Sequence, residues 1–269
     1  MKKIAMTLLL SVTLLVAGCS DNVVNESDVS QEQLLEEIFN GISGYESIQS
    51  DIFLDQLIEP ENELEHRRKT EIVTKLTRQP FTMHQTVAMD LGGGEEGLME
   101  DESYMVGDGI YSKVTEDAEG KPMEGWAHIP YDVEEVGAQK EVIADFRPLI
   151  EVSEKISVKE QGDDYLLTIL TSAKEDQDFI NQMAATNIGD FIPLDYAEEI
   201  DGEQVNIELV VDQKTKQLKE YVLDTKATVV FQDGVEKITQ RVENKLSNMN
   251  ELKPIQVPKE VEDQLIEMD

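Results

Sequence analysis

The sequence predicts an α+β fold in which an open, curved antiparallel β-sheet carries helices on one face. From residue 48 to residue 246, most segments alternate apolar and polar side chains, and glycine- or proline-containing turns separate them. Helical spacing of apolar residues is confined to a few segments. The apolar fraction of 40% is adequate for a packed core. No proline- and serine-rich linker divides the chain, so we expect residues 30–269 to form a single domain.

The first predicted helix begins after Ser30, where Gln33 is placed to complete a capping box. Apolar side chains between residues 34 and 42 fall on one stripe, and the glutamates of the same segment face away from it. Gly41 and Gly44 are expected to end this helix.

Three further helical segments are predicted. One covers residues 137–153, where Pro148 should kink or split the helix because it lacks an amide donor. The next begins after Ser172, with Glu175 in the capping-box position. The last is short and amphipathic, and its apolar residues are Val261, Leu265 and Ile266.

The predicted strands are mostly long and are joined by tight turns, of which the segment around Gly107-Asp108-Gly109 is the clearest. Residues 189–202 are expected to be irregular. The strands cover residues 48–58, 65–77, 81–89, 104–106, 110–114, 124–129, 156–160, 165–171, 205–211, 217–231 and 235–246. The candidates for the inner face of the sheet are Ile72, Val205, Ile207, Leu209, Ile238 and Val242.

The N-terminal residues predict export and lipid attachment. Two lysines precede the apolar run 4–16, and Leu15-Val16-Ala17-Gly18-Cys19 has the form of a lipobox. Cys19 is the only cysteine, as expected for a thiol that carries lipid rather than a disulfide. An ordinary secretory signal or an uncleaved anchor helix is the alternative, although the run is short for a membrane span.

This N-terminal pattern defines three segments. We expect residues 1–18 to be a signal peptide and residues 19–29 to be a lipidated polar tether, followed by the domain from residue 30. Lipid on Cys19 would anchor the protein to the cell membrane on its extracytoplasmic face.

The charge balance argues against nucleic acid as a partner. The chain has 23 basic and 57 acidic residues, a formal net charge of −34, which repels polyanions. The densest basic cluster, residues 66–69, is flanked by glutamates and is interpreted as a solvated strand face, with an anion site as the alternative. The dispersed acidity is interpreted as an adaptation for solubility or environment, with a cation-binding surface as the alternative.

No motif predicts catalysis, a metal or another cofactor. His66, His84 and His128 are far apart in the chain, and none has a metal-ligand spacing. There is no G-x-S-x-G motif, and the glycine-rich residues 92–97 lack the Lys-Ser/Thr of a phosphate loop. Acidic residues near positions 90–96 and 195–201 do not match a calcium loop and are interpreted as solvated. We therefore expect no enzyme, and hold hydrolysis by paired carboxylates as a remote alternative.

Methionines recur on or beside the predicted strands. This residue type either fills gaps in a core, the favoured interpretation, or lines a surface that adapts to variable apolar partners. The methionines concerned are Met83, Met89, Met99, Met105, Met123 and Met183.

Several segments together carry a resemblance to a known group. They are the lipobox ending at Cys19, the helix from Ser30 to the strand after Tyr45, the strand from Thr70-Glu71-Ile72 to Pro80, Phe81-Thr82-Met83-His84, and Pro258-Lys259-Glu260-Val261. With these, the chain resembles Gram-positive lipoproteins of unknown function, which look similar in fold to the LolA and LppX/LprG carriers. That fold is a half-barrel of antiparallel strands whose hollow is covered by helices. The resemblance implies a cavity for acyl chains or another hydrophobic ligand.

Two functions follow from these patterns. The first is a non-enzymatic, membrane-anchored lipoprotein that binds a lipid or lipid-linked envelope precursor between sheet and helices. The alternative is an envelope protein–protein interaction or sensor module with a filled core and no small-molecule ligand, whose protein partner the sequence does not identify.

The lipobox interpretation predicts the fate of a Cys19→Ala variant. Without the thiol there is nothing to acylate, so the protein should be released or remain uncleaved. Membrane fractionation and the mass of the mature N-terminus measure this. A Cys19→Ala protein that is still processed and still membrane-bound would contradict the interpretation.

Overall fold

A computed structural model of the chain describes residues 30–92, 97–116, 121–132, 143–172, 176–194, 196–232 and 234–266. Cys19, the predicted signal peptide and the predicted tether lie outside the described residues. Within the described part, eleven strands are present: β1 Ser47–Pro60, β2 His66–Arg78, β3 Phe81–Asp90, β4 Leu98–Val106, β5 Gly109–Glu116, β6 Pro122–Ile129, β7 Ser157–Gln161, β8 Asp164–Ser172, β9 Ala197–Asp212, β10 Leu218–Phe231 and β11 Gly234–Ser247.

All eleven strands belong to one sheet, in the order β6-β5-β4-β3-β2-β1-β11-β10-β9-β8-β7. Every neighbouring pair is antiparallel. The edge strands β6 and β7 do not pair with each other, so the sheet is open. The predicted α+β fold with an open antiparallel sheet is confirmed, and the three longer helices pack on one face of that sheet.

Two strands are much longer than their patterns indicated. β4 begins at Leu98, whereas the predicted strand covers only residues 104–106. β9 begins at Ala197. The prediction of irregular structure over residues 189–202 is wrong from Ala197 onward, because residues 197–204 pair with the second half of β10. A register shift between Lys226 and Ala227 interrupts that ladder. Acidic residues in this stretch hide the alternation on which the sequence prediction depends.

The helices are α1 Gln31–Ser43, a 3₁₀ helix Arg147–Lys155, α2 Gln177–Gly189 and the four-residue α3 Lys259–Glu262. The capping box of α1 is confirmed: the Gln33 amide donates to Ser30 Oγ (3.2 Å), and the Ser30 amide donates to Gln33 Oε1 (3.0 Å). The helix passes through Gly41 and ends before Gly44.

Three helix predictions are wrong in part. Residues 143–146 are not helical, and the 3₁₀ helix starts beside Pro148, which is tolerated in a first turn but not inside a helix. Residues 133–142 and Glu175 lie outside the described residues. Ser172 ends β8 rather than capping α2, which begins after Asp176. Near the C-terminus, Leu265 lies beyond α3 and forms a parallel bridge with Trp126 of β6.

The main core lies between the inner face of the sheet and three helices. Leu35 and Ile38 of α1, Leu149 of the 3₁₀ helix, and Ile180 and Met183 of α2 are all buried there. The predicted inner-face residues Val205, Ile207, Leu209, Ile238 and Val242 are buried as expected. Ile72 shares this face but is only half-buried.

The C-terminal segment packs on the opposite face. Met105 packs against the main core, so its neighbour Tyr104 points the other way. There Tyr104 clusters with Tyr111 and Trp126, and Val261 of α3 covers them. The Trp126 amide donates to the Gln264 carbonyl oxygen (3.1 Å), so the chain end also covers part of the β6 edge.

The close packing of α2 on β9 predicts the effect of Gly202→Ala. A Cβ at Gly202 would lie 2.6 Å from Ile180 Cγ2 and 3.0 Å from the Ile180 carbonyl oxygen. We expect the free energy of unfolding, measured with urea, to fall by about 1–3 kcal/mol because overpacking forces backbone shifts. Gly107→Ala is the matched control, since no heavy atom lies within 4 Å of its added Cβ. Equal losses in the two variants would contradict this account.

Candidate functional site

A cavity of about 810 Å³ lies between the inner face of the sheet and the helices. Its size is within the range of about 300–1,000 Å³ that is typical of ligand pockets. Glu36, Asn40 and Arg147 are exposed, so the cavity reaches solvent beside them. Its walls are Glu36, Phe39, Asn40, Ile52, Ile72, Thr74, Gln85, Ile143, Ala144, Asp145, Phe146, Arg147, Ile150, Thr186, Asn187, Asp190, Phe191, Tyr221 and Val242.

Apolar side chains from both layers form the larger part of the wall. The sheet contributes Ile52 and Ile72 from neighbouring positions on β1 and β2. The covering layer contributes Phe39 of α1, Phe146 and Phe191. Ile72 is half-buried and faces the cavity instead of joining the main core, so this part of the inner face is available to an apolar ligand.

Uncharged polar groups lie between these apolar residues. The Asn244 side-chain amide donates to the Tyr221 hydroxyl oxygen (3.1 Å), and Gln85 Nε2 donates to Thr74 Oγ1 (3.0 Å). Burial raises the pKa of Tyr221 to about 12, which keeps the phenol neutral at physiological pH. The sheet side of the cavity is therefore amphipathic and mostly uncharged.

Charged groups occupy the rim. Arg147 donates through Nε to Asp145 Oδ1 (2.8 Å) and through Nη2 to Oδ2 (2.6 Å), and these bonds lower the pKa of Asp145. Asp190 is exposed over part of its surface, yet the surrounding protein removes enough water from its carboxylate to raise its pKa. Desolvation of Asp190 disfavours its charged form.

A polar row on the inner face borders the cavity. Thr225, Gln240, Gln56 and Arg68 occupy paired positions across β10, β11, β1 and β2. Asn187 Nδ2 of α2 donates to Thr225 Oγ1 (2.7 Å). Gln240 Nε2 donates to the Asn187 carbonyl oxygen (2.9 Å), and Gln56 Nε2 donates to Gln240 Oε1.

The last member of this row corrects a sequence prediction. In the basic cluster 66–69, His66, Arg67 and Lys69 are exposed, as a solvated strand face requires. For Arg68 that interpretation is wrong: it is half-buried on the inner face, and its Nη2 donates to the Phe191 carbonyl oxygen (2.9 Å). The two-residue period continues from Arg68 through Thr70 to Ile72, and this was the signal in the sequence that could have revealed it.

The histidines lie apart from the cavity wall. His84 stacks on Tyr104, and its Nε2 lies 2.9 Å from Glu102 Oε1. His128 stacks on Tyr111 with ring centroids 4.5 Å apart. Among the described residues, no group of three or more histidine, aspartate or glutamate side chains is arranged to hold a metal ion.

The methionines also lie away from the cavity. Met83 and Met183 are buried in the main core and Met105 packs against it, as the gap-filling interpretation predicts. Met99 is 58% exposed. No described methionine contributes to the cavity wall, so the adaptable surface that the sequence suggested is not the one that lines it.

A helix that crosses a membrane needs about 20 apolar residues. In the portion of the chain that the structure describes, no helix has the length and hydropathy required.

Comparison with solved structures found weak similarities. A LolA superfamily protein from Nitrosomonas europaea is 8% identical over 87% of this chain and 97% of its own, with a TM-score of 0.22. A beta-barrel-like protein of domain of unknown function DUF1849 from Brucella abortus is 8% identical over 75% of this chain and 98% of its own, with a TM-score of 0.24. No curated protein sequence gave a significant match.

A family model is more informative about the chain as a whole. The model described as a family of unknown function, DUF6612, matches residues 30–265. The match starts at the N-cap of α1 and ends in the segment that pairs with β6, so it spans the whole of the sheet and its helices. The chain belongs to the DUF6612 family.

Proposed function

We propose that the protein is a non-enzymatic binding protein that holds a lipid or a lipid-linked envelope precursor between its sheet and its helices. The observation that carries this proposal is the cavity of about 810 Å³ with apolar side chains from both layers. The alternative is an interaction module with no small-molecule ligand, and the cavity favours the binding protein over it.

The energetics support an apolar ligand. Transfer of one CH₂ group from water to an apolar wall contributes about 0.8 kcal/mol, so a single acyl chain gains enough to offset the cost of association. The neutral polar groups on the sheet side of the cavity, such as Tyr221 and Gln85, would hydrogen-bond ester or hydroxyl oxygens of the same molecule.

The proposal includes anchoring. Lipid on Cys19 would hold the protein on the extracytoplasmic face of the cell membrane, with the polar residues 20–29 as a tether. This location would place the cavity beside a source of membrane lipid. The acidic exterior would keep the loaded protein away from anionic lipid surfaces.

Native mass spectrometry tests the binding proposal. Residues 20–269 are purified without detergent and measured intact, and organic extracts of the same preparation are analysed. We expect a co-purifying lipid of defined mass, or binding of lipids that are added afterwards. A protein that stays at its apo mass under both conditions would leave the interaction module as the better hypothesis.

A matched pair of variants locates the ligand. Ile72 lines the cavity and its neighbour Val73 lies on the opposite face of β2; both are half-buried. We expect Ile72→Asp to reduce lipid occupancy at least tenfold, because a bound acyl chain would desolvate the new carboxylate. Val73→Asp should keep the occupancy of the wild type.

Urea unfolding of both variants controls for stability. The comparison is valid for variants that retain a cooperative transition. Loss of lipid in both folded variants, or in neither, would contradict binding in this cavity.

A further inference from the structure

Arg68 is an unusual cation in this chain. Other basic residues, such as Arg67, Lys219 and Arg241, pair with carboxylates at the surface. Arg68 is half-buried on the inner face, and its described hydrogen bond is to the carbonyl oxygen of Phe191. Among the described residues, no carboxylate forms an ion pair with it. Burial lowers the pKa of Arg68.

Two residues next to Arg68 in the sheet also carry unpartnered polar atoms. Gln56 lies directly opposite Arg68 on β1, and Thr70 is the next residue on the same face of β2. Gln56 is 0% exposed and Thr70 is 3% exposed. Gln56 Oε1, Thr70 Oγ1 and Arg68 Nε are all buried and have no hydrogen-bond partner among the described residues. Such a group of buried orphan atoms is costly unless something binds them.

The cluster lies next to the cavity without lining it, since Arg68, Gln56 and Thr70 are not among the wall residues. Thr70 lies between Arg68 and Ile72 along the inner face of β2, and Ile72 is part of the cavity wall. Phe191, whose carbonyl oxygen accepts from Arg68, is part of the same wall. A molecule whose apolar part lies on Ile72 and Phe191 would therefore have its other end near Arg68. Its head would have to displace the side chains that bury these polar atoms.

We propose that the ligand is an anionic amphiphile whose phosphate head, with a neighbouring hydroxyl, binds Arg68, Gln56 and Thr70 while its acyl part fills the cavity. This inference rests on the proposed lipid-binding function and narrows its ligand class. Arg68 Nε and the Thr70 hydroxyl donate to the phosphate oxygens. The bond from Gln56 Nε2 to Gln240 Oε1 fixes the orientation of the Gln56 amide. Gln56 Oε1 is then left as an acceptor and requires a hydroxyl donor from the ligand.

Charge complementarity favours an anion at this position. A guanidinium binds phosphate through parallel N–H donors, and this interaction strengthens where water is excluded. A chain with a net charge of −34 attracts anions only weakly at most of its surface. One inner arginine without a carboxylate partner would therefore favour a ligand with an anionic head group. The Phe191 carbonyl oxygen keeps one guanidinium edge in place and leaves Nε for the ligand.

The test compares head groups on one pair of acyl chains. The full chain is isolated in a non-ionic amphipol and delipidated, and calorimetry measures its binding of short-chain lipids below their micelle concentrations. Phosphatidylglycerol offers the phosphate and hydroxyls, phosphatidylcholine offers the phosphate without a hydroxyl, and diacylglycerol offers the hydroxyl without the anion. We expect phosphatidylglycerol to bind at least tenfold more tightly than the other two.

Variants assign that preference to Arg68. Arg68→Gln should lower phosphatidylglycerol affinity at least tenfold and leave diacylglycerol affinity unchanged, and Arg68→Lys should retain part of the preference. Arg67→Gln is the control, because Arg67 is the adjacent arginine but pairs with Asp55 on the opposite face. For each variant, the ratio of the phosphatidylglycerol affinity to the diacylglycerol affinity separates recognition of the head group from a general loss of stability.

The outcomes distinguish this inference from the function on which it rests. If no lipid binds the wild type, both the proposed function and the inference are wrong. If lipids bind without regard to head group, or if Arg68→Gln keeps the preference, the function stands, the orphan atoms hold water and the head-group inference is wrong.

Discussion

The structure depends on how few helices cover the inner face of a wide, open sheet. Eleven strands spaced about 4.8 Å apart make a sheet about 50 Å wide, whereas a 13-residue helix such as α1 or α2 is about 20 Å long and about 10 Å across. Two such helices and one 3₁₀ helix therefore cannot cover the whole face with side chains. Part of the helical layer packs closely on the sheet, and the space that remains between the two layers is the cavity.

The inner face divides into regions of different character. Beneath the helices, residues such as Val205, Ile207 and Leu209 are fully buried, and they contribute hydrophobic stabilisation. Ile52 and Ile72 lie on the same face but line open space. On the same face, Thr225 and Gln240 of the polar row fix the end of α2 through their hydrogen bonds with Asn187. Buried polar groups of this kind specify one arrangement of helix on sheet, since any shift would leave them unpaired.

The two faces of the sheet also have separate roles. The inner face carries the helices and the cavity, whereas the outer face near β4–β6 is covered by the C-terminal segment. That segment satisfies backbone groups of Trp126 at one open edge, where an unpaired strand would otherwise be available to another chain. No described residue of this C-terminal segment contributes to the cavity wall.

The sequence by itself determined the elements, because their periods depend on local spacing. Alternation located all eleven strands, and Ser30 with Gln33 located α1. It also predicted the inner face, from Val205 to Val242. The lipobox at Cys19 stays a prediction, because it lies outside the described residues. Only the tertiary structure decided which inner residues touch helices and which line a cavity. Ile72 and Ile238 cannot be told apart in the sequence, because both lie in strands that alternate apolar and polar side chains. It also decided that Arg68 points inward, although the sequence predicted a solvated cluster. The position of Arg68 depends on the pairing of β1 with β2 and on its hydrogen bond to Phe191, which is distant in sequence.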